Sequence, residues 1–304
     1  MSESPGRTCP LSYRYPPGAF AGAPAVRAET LWIAGGLYGN RYALQALLEA
    51  YDAEPGAKAL VFNGDFHWFD AEPGEFELVD ETVRGFHALR GNVETEIAAP
   101  AEGAGCGCAY PEWVGDATVE HSNAIIERLR RAAIASGRDL QRLAALPMTL
   151  VAEVGGERIG IVHGDAESLA GWNFSQEVLG TPQGSAAAER ALVQSGVRVF
   201  AASHTCLPVL KRFPGERAVI NNGAAGMPNF RGERYGIATR ISVRPARDSL
   251  YGGRLGGLRV DAVALAYDCA VWEKRFVELW PEGSDAHRSY FERMRSGPAF
   301  ARAA

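Results

Sequence analysis

The sequence has 304 residues, 47% hydrophobic and 22% charged, the composition of a globular protein with chain enough for one large core or two small ones. A formal net charge of -5 leaves no polybasic footprint, which argues against nucleic acid or an anionic membrane as a partner. Five cysteines, an odd number, fit reduced thiols better than a disulfide framework. No stretch reads as a signal peptide or a bilayer span, so the expected location is the cytoplasm.

Residues 1–28, rich in proline and glycine, read as a loosely structured arm ahead of a single domain over 29–304. Thr30 to Ala34 is an apolar, strand-like run, followed by a glycine-rich turn, Gly35-Gly36-Leu37-Tyr38-Gly39-Asn40. Arg41 to Tyr51 has helical spacing, with Ala43, Leu44, Leu47 and Leu48 on one face. Lys58 to Asn63 is a second strand that stops abruptly at Gly64-Asp65, and Phe76 to Leu89 reads as an amphipathic helix through Phe76, Val79, Val83 and Phe86. Strand, helix, strand, helix argues for a largely parallel sheet.

Residues 95–116 read as loop, with Cys106-Gly107-Cys108 in its middle. A helix over Thr118–Ser136 and a shorter one ending before Pro147 follow. Met148–Val154 and Arg158–Val162, joined by Gly155-Gly156, form a predicted hairpin that runs into His163-Gly164-Asp165. Ser185–Gln194 reads as a helix and Val197–Ala202 as a strand ending in Ser203-His204-Thr205-Cys206. Leu207–Lys211 with Arg217–Ile220 suggests another hairpin, closed by Asn221-Asn222-Gly223. Strands over Ile237–Val243 and Val260–Tyr267 and a terminal helix over Ser284–Arg295 complete the reading. The expected fold is α/β, two packed mixed β-sheets flanked by helices.

Asp65, Asn92, His163 and His204 stand at the ends of apolar runs, where open α/β sheets place their chemistry. One carboxylate, one amide oxygen and two imidazoles suit a divalent transition metal. A lone histidine is more often a hydrogen-bonded core residue, but only six occur in the chain, and two of them end strands beside small residues.

These blocks resemble, in order, the motifs of the calcineurin-like metallophosphoesterases: Asp-x-His, Gly-Asp, Gly-Asn-His-Glu or Asp, His-Gly and Gly-His-Thr-His. Here they read Gly36-Leu37-Tyr38, Gly64-Asp65, Gly91-Asn92-Val93-Glu94, His163-Gly164 and Ser203-His204-Thr205-Cys206. Asn222-Gly223-Ala224 resembles the Asn-Pro-Gly-Ser turn that often follows. The resemblance spans about Leu31 to Phe230 and implies a two-sheet α/β sandwich that uses metal ions to hydrolyse phosphoesters. In the family, the positions matching Asp65, Asn92, His163 and His204 hold one of the two metals. Those matching Gly36, Tyr38 and Cys206 hold the other, and Val93 stands where the family has its catalytic histidine.

The resemblance thus implies a reduced, single-metal site for Zn, Mn or Fe, with Asp65, Asn92, His163 and His204 as ligands and Cys206 as a further candidate. Tyr38 and His67 are the candidates to assist catalysis, and Asp165 and Glu94 those to orient ligand imidazoles. Cys106 and Cys108 are weaker candidates to bring sulfur to the same site. Two functions follow as expectations. One is a metal-dependent phosphoesterase hydrolysing a phosphate mono- or diester in a phosphorylated small molecule. The other is a catalytically inactive relative that binds a phosphorylated ligand or a protein partner.

Overall fold

The computed structural model describes residues 4–16 and 18–301. The first half of the chain contains β1 (Val26–Ala28), β2 (Thr30–Ala34), α1 (Arg41–Asp52), β3 (Lys58–Asn63), α2 (Pro73–Val83), β4 (His87–Leu89), α3 (Asn92–Ala98), α4 (Asp116–Ala135) and α5 (Gln141–Ala144). There follow β5 (Thr149–Val154), β6 (Glu157–Val162), α6 (Gln176–Leu179), α7 (Pro182–Ser195), β7 (Val199–Ala202), β8 (Pro208–Phe213), β9 (Arg217–Asn222), β10 (Gly236–Ser242), β11 (Tyr251–Leu255), β12 (Leu258–Leu265), α8 (Cys269–Leu279) and α9 (Asp285–Ser296). The strands form two mixed six-stranded sheets, ordered β1-β5-β6-β7-β9-β8 and β11-β12-β10-β2-β3-β4.

The strands are apolar along their length because both of their faces are covered. Leu31 and Ile33 of β2 and Val61 of β3 point inward, into a core shared with Val154, Ile159, Ile161, Val199 and Ile220 of the other sheet. The alternate residues Trp32, Leu60 and Phe62 point outward, against helix residues such as Leu44, Phe76, Leu129 and Phe276. On the far side of the first sheet, Phe200 and Val219 pack with Leu192 of α7. The result is a sandwich of two sheets with helices on both outer faces. Among the described residues no helix is long and apolar enough to cross a membrane.

Several local readings need correction. The helix expected over 76–89 ends at Val83, and His87–Leu89 form β4, parallel to β3. Phe86 continues the apolar spacing from the connecting turn, where its ring packs on Tyr51 and Phe62. The loop expected from residue 95 begins only after α3, and α8 was not anticipated. Of the expected arm, residues 1–3 and 17 lie outside the described residues. The remainder is well packed: Tyr13 and Phe20 are buried and β1 pairs in parallel with β5. Cys9, Cys206 and Cys269 are free thiols, whereas Cys106 and Cys108 are joined by a disulfide.

Candidate metal centre

β2, β3 and β4 run parallel, and so do β6, β7 and β9, so the loops at their carboxyl ends gather along one edge of the sandwich. Asp65 follows β3, Asn92 opens α3 just after β4, and His163 and His204 follow β6 and β7. The structure brings all four together. Nε2 of His163 lies 3.3 Å from Oδ1 of Asp65, 3.1 Å from Oδ1 of Asn92 and 3.1 Å from Nδ1 of His204. Asp65, His163 and His204 offer ligand atoms that all lie within 4.8 Å of one another, enough to hold one metal ion. All four residues are buried, the most exposed at only 5%.

For His163, His204 and Asn92, the outer side fixes what each turns inward. His163 Nδ1 lies 2.9 Å from the carbonyl of Asn63 and His204 Nε2 lies 3.0 Å from that of Cys108. A carbonyl only accepts, so each imidazole carries its hydrogen on the outer nitrogen and turns a lone pair inward. Asn92 donates its amide Nδ2 to the Cys106 carbonyl over 3.0 Å, which turns its oxygen inward. The centre is therefore lined by acceptors alone. Such an arrangement is unfavourable without a proton or a cation between the lone pairs.

Electrostatics agree with this picture. Burial disfavours charge on His163, but the neighbouring Asp65 carboxylate outweighs it, and its pKa is raised. Burial, reinforced by His163, pulls His204 down to about 3. The two imidazoles are thus pushed in opposite directions, His163 toward holding a proton and His204 toward the neutral form. A carboxylate, an amide oxygen and two imidazole nitrogens are the donor set of a borderline divalent ion, and the residues present fit one.

The backbone around the centre is held tightly. Asp65 has φ 51, a left-handed conformation uncommon outside glycine. Glu94 secures it: Oε2 accepts from the N–H of Asp65 (2.9 Å) and of Gly91 (2.8 Å), and Oε1 from that of His67 (3.3 Å). Glycine is required at 91, because a Cβ there would lie 2.2 Å from Oδ1 of Asp65. Glu94 therefore positions the Asp65 backbone rather than an imidazole. Asp165 does not orient an imidazole either. Its carboxylate accepts three backbone N–H groups of its own loop, from Glu167, Ser168 and Asn173.

Gly36, Tyr38 and Cys206, where the resembled motifs carry metal ligands, also meet one another. Gly36 lies beneath the Tyr38 ring, so close that a Cβ at 36 would be 2.9 Å from it. The Tyr38 hydroxyl lies 2.7 Å from Sγ of Cys206, which also reaches the His204 carbonyl at 3.3 Å. The Cys206 sulfur is not in the metal-ligand group. Burial and then Cys206 raise the Tyr38 pKa well above the phenol value, and burial raises that of the Cys206 thiol. Both side chains keep their protons, and together they fill the space beside the centre. Val93, buried here, offers only its N–H, which donates to Oδ1 of Asp65 over 3.2 Å.

His67 is engaged elsewhere. Its Nδ1 is 2.5 Å from Oδ2 of Asp70, its ring stacks on Phe76 at 4.0 Å and it is fully buried. Cys106 and Cys108 do lie over the centre, chiefly through their backbone carbonyls, while Sγ of Cys108 accepts from Nδ2 of Asn92 at 3.7 Å. Trp172, whose Nε1 also donates to the Cys108 carbonyl (3.0 Å), stands edge-on against His204.

No protein-family model matches the sequence, and no curated protein is similar to it. Solved structures do match. A hypothetical protein from Pyrococcus horikoshii OT3 is 17% identical, with a TM-score of 0.62 over 88% of this chain and 98% of its own. A metallophosphoesterase from Sphaerobacter thermophilus is 18% identical, with a TM-score of 0.57 over 89% of this chain and 100% of its own. In its two mixed sheets, flanking helices and ordered motifs at the strand ends, the chain has the calcineurin-like metallophosphoesterase fold.

Proposed function

We infer that Asp65, Asn92, His163 and His204 hold one divalent transition-metal ion and that the protein is a one-metal phosphoesterase acting on a phosphorylated small molecule. The observation that supports this is the acceptor-only centre: Asp65, Asn92 and His204 each turn an atom to within 3.3 Å of Nε2 of His163, and His163, His204 and Asn92 are each oriented by a backbone carbonyl on the outer side. When bound, the ion would supply a Lewis acid able to polarise a phosphoryl oxygen. Tyr38, which keeps its proton and meets Cys206 beside the centre, is the hydroxyl we assign to assist. His67 is walled in and takes no part in this reading. Val93, where the resembled family has its catalytic histidine, donates no side-chain proton, a role worth about 10²–10⁴-fold in rate, so turnover is expected to be slow.

A second reading is favoured by the packing of Tyr38 against Cys206 beside the centre and by the burial of all four ligands. In that reading the ion is held for binding a phosphorylated ligand or a protein partner, without turnover. Hydrolysis of bis(p-nitrophenyl) phosphate with Mn²⁺ separates the two. The phosphoesterase reading expects slow, metal-dependent hydrolysis that falls in Asn92→Ala. One bound ion with no hydrolysis of this activated ester would support the second reading. Hydrolysis unchanged in Asn92→Ala would remove the centre from the chemistry.

A further inference from the structure

The disulfide over the centre does more than close a loop. The segment between α3 and α4 is pinned at two points by Gly6, whose N–H donates to Ala104 (2.8 Å) and whose carbonyl accepts from Tyr110 (2.9 Å). Cys106-Gly107-Cys108 lies between these pins, with the two Cα atoms 5.4 Å apart across the disulfide. The Cys106 carbonyl accepts from Nδ2 of Asn92, and the Cys108 carbonyl accepts from Nε2 of His204 and Nε1 of Trp172, all at 3.0 Å.

These two carbonyls decide the polarity of two of the four inward groups. Without the first, Nδ2 of Asn92 keeps only its weaker contact to Sγ of Cys108 at 3.7 Å, and the amide is able to turn over and present NH₂, a donor, to the centre. Without the second, nothing holds the hydrogen of His204 on Nε2, and the other tautomer points N–H inward. Either change replaces a lone pair by a hydrogen where a cation requires the lone pair.

We propose that Cys106 and Cys108 form a redox latch on the metal centre: the disulfide holds the carbonyls that orient Asn92 and His204, and its reduction by a dithiol weakens cation binding. The proposal rests on the reading of the centre as a cation site. Reduction breaks the Cys106–Cys108 bond. Two electrons and two protons pass from the dithiol to the pair, leaving two thiols, and the dithiol closes to its own disulfide. Of the pair, Cys106 is fully buried and Cys108 is 7% exposed. Ala109, the next residue, lines an open cleft of about 280 Å³ with Trp172 and the free thiol Cys9.

The test uses the full chain, metal-free, in two states defined by thiol counting: three free thiols when oxidised, five when reduced. After anaerobic removal of the dithiol, each state is titrated with Mn²⁺ by calorimetry. The latch predicts affinity lower by about 10–100-fold on reduction, the usual weight of groups that orient metal ligands, and recovery on reoxidation. The double variant Cys106→Ser, Cys108→Ser should bind at the reduced level with or without dithiol. Equal affinity in the two states of the unaltered chain would overturn the latch and leave the cation site standing. Absence of Mn²⁺ binding in both states would overturn the cation-site reading. The latch is then judged without metal from the ¹⁵N shifts of His204. Loss of the Nε2–H tautomer on reduction supports it, and an unchanged tautomer overturns it.

Discussion

Asn92 shows how little a single residue type decides by itself. At the end of an apolar run it reads equally well as a turn residue or a helix cap. Its role comes from its two partners, the Cys106 carbonyl on one side of the amide and His163 on the other. Asn92→Ala removes one inward oxygen and is predicted to lower Mn²⁺ affinity by about 10-fold or more, read by calorimetry. Unaltered affinity would mean that the amide does not ligate. Gly36 makes a separate prediction. Its φ is +64 and the Tyr38 ring occupies the space a side chain there would need. Gly36→Asp, which introduces the residue the resembled motif carries, should therefore destabilise the fold, by about 1–3 kcal/mol in urea unfolding, rather than create a second site. A stable Gly36→Asp chain that binds a second ion would contradict this account of the altered positions.

At the scale of elements, the strands that carry the ligands were legible because burial on both faces leaves near-continuous apolar runs, as in Leu31–Ala34 and Leu60–Phe62. Short elements were not. β4 is three residues long and follows a helix whose apolar spacing, Val79, Val83, Phe86, carries on through the turn. The α8 helix carries a signal of its own, an Asp268 cap and Trp272, Phe276 and Leu279 at helical spacing. A buried ion pair ties elements together far from the centre. Arg240 of β10 grips Glu54, just beyond α1, through two contacts of 2.7 and 2.8 Å, while Trp32 and Thr30 of β2 add hydrogen bonds at 3.3 Å. The Arg240 hydrogen bond holds the Glu54 carboxyl below its usual pKa despite burial. A carboxyl whose folded pKa is lowered contributes stability fully above its unfolded pKa, about 4.3, and loses it as pH falls through the lower folded value. Glu54→Gln should cost about 3 kcal/mol at neutral pH, because it leaves Arg240 buried beside a neutral partner, and should flatten the loss of stability below about pH 4. Urea titrations at pH 7 and pH 3 check both parts. Identical acid behaviour of the two chains would remove Glu54 as a source of it.

Over the whole molecule, the order of motifs in the sequence anticipated the sandwich and named the four residues that meet in it. What the sequence left hidden is what acts across long separations. The disulfide-bridged loop that orients Asn92 and His204 lies 14 and 96 residues away from them at its two contacts. The Tyr38 hydroxyl meets the Cys206 sulfur across 168 residues of chain. No local pattern encodes such contacts, because they exist only once both sheets have formed. They are also what turns two clustered histidines into an acceptor-only centre and fills the space beside it. The most direct test of this account is the number of metal ions per chain, measured by elemental analysis on protein purified without chelator and offered Mn²⁺, Zn²⁺ or Fe²⁺. The account predicts one ion per chain, lost in His163→Ala. No ion retained, or two, would contradict it: the first would leave the inward lone pairs without a cation, and the second would mean that Tyr38 and Cys206 do not close the neighbouring position.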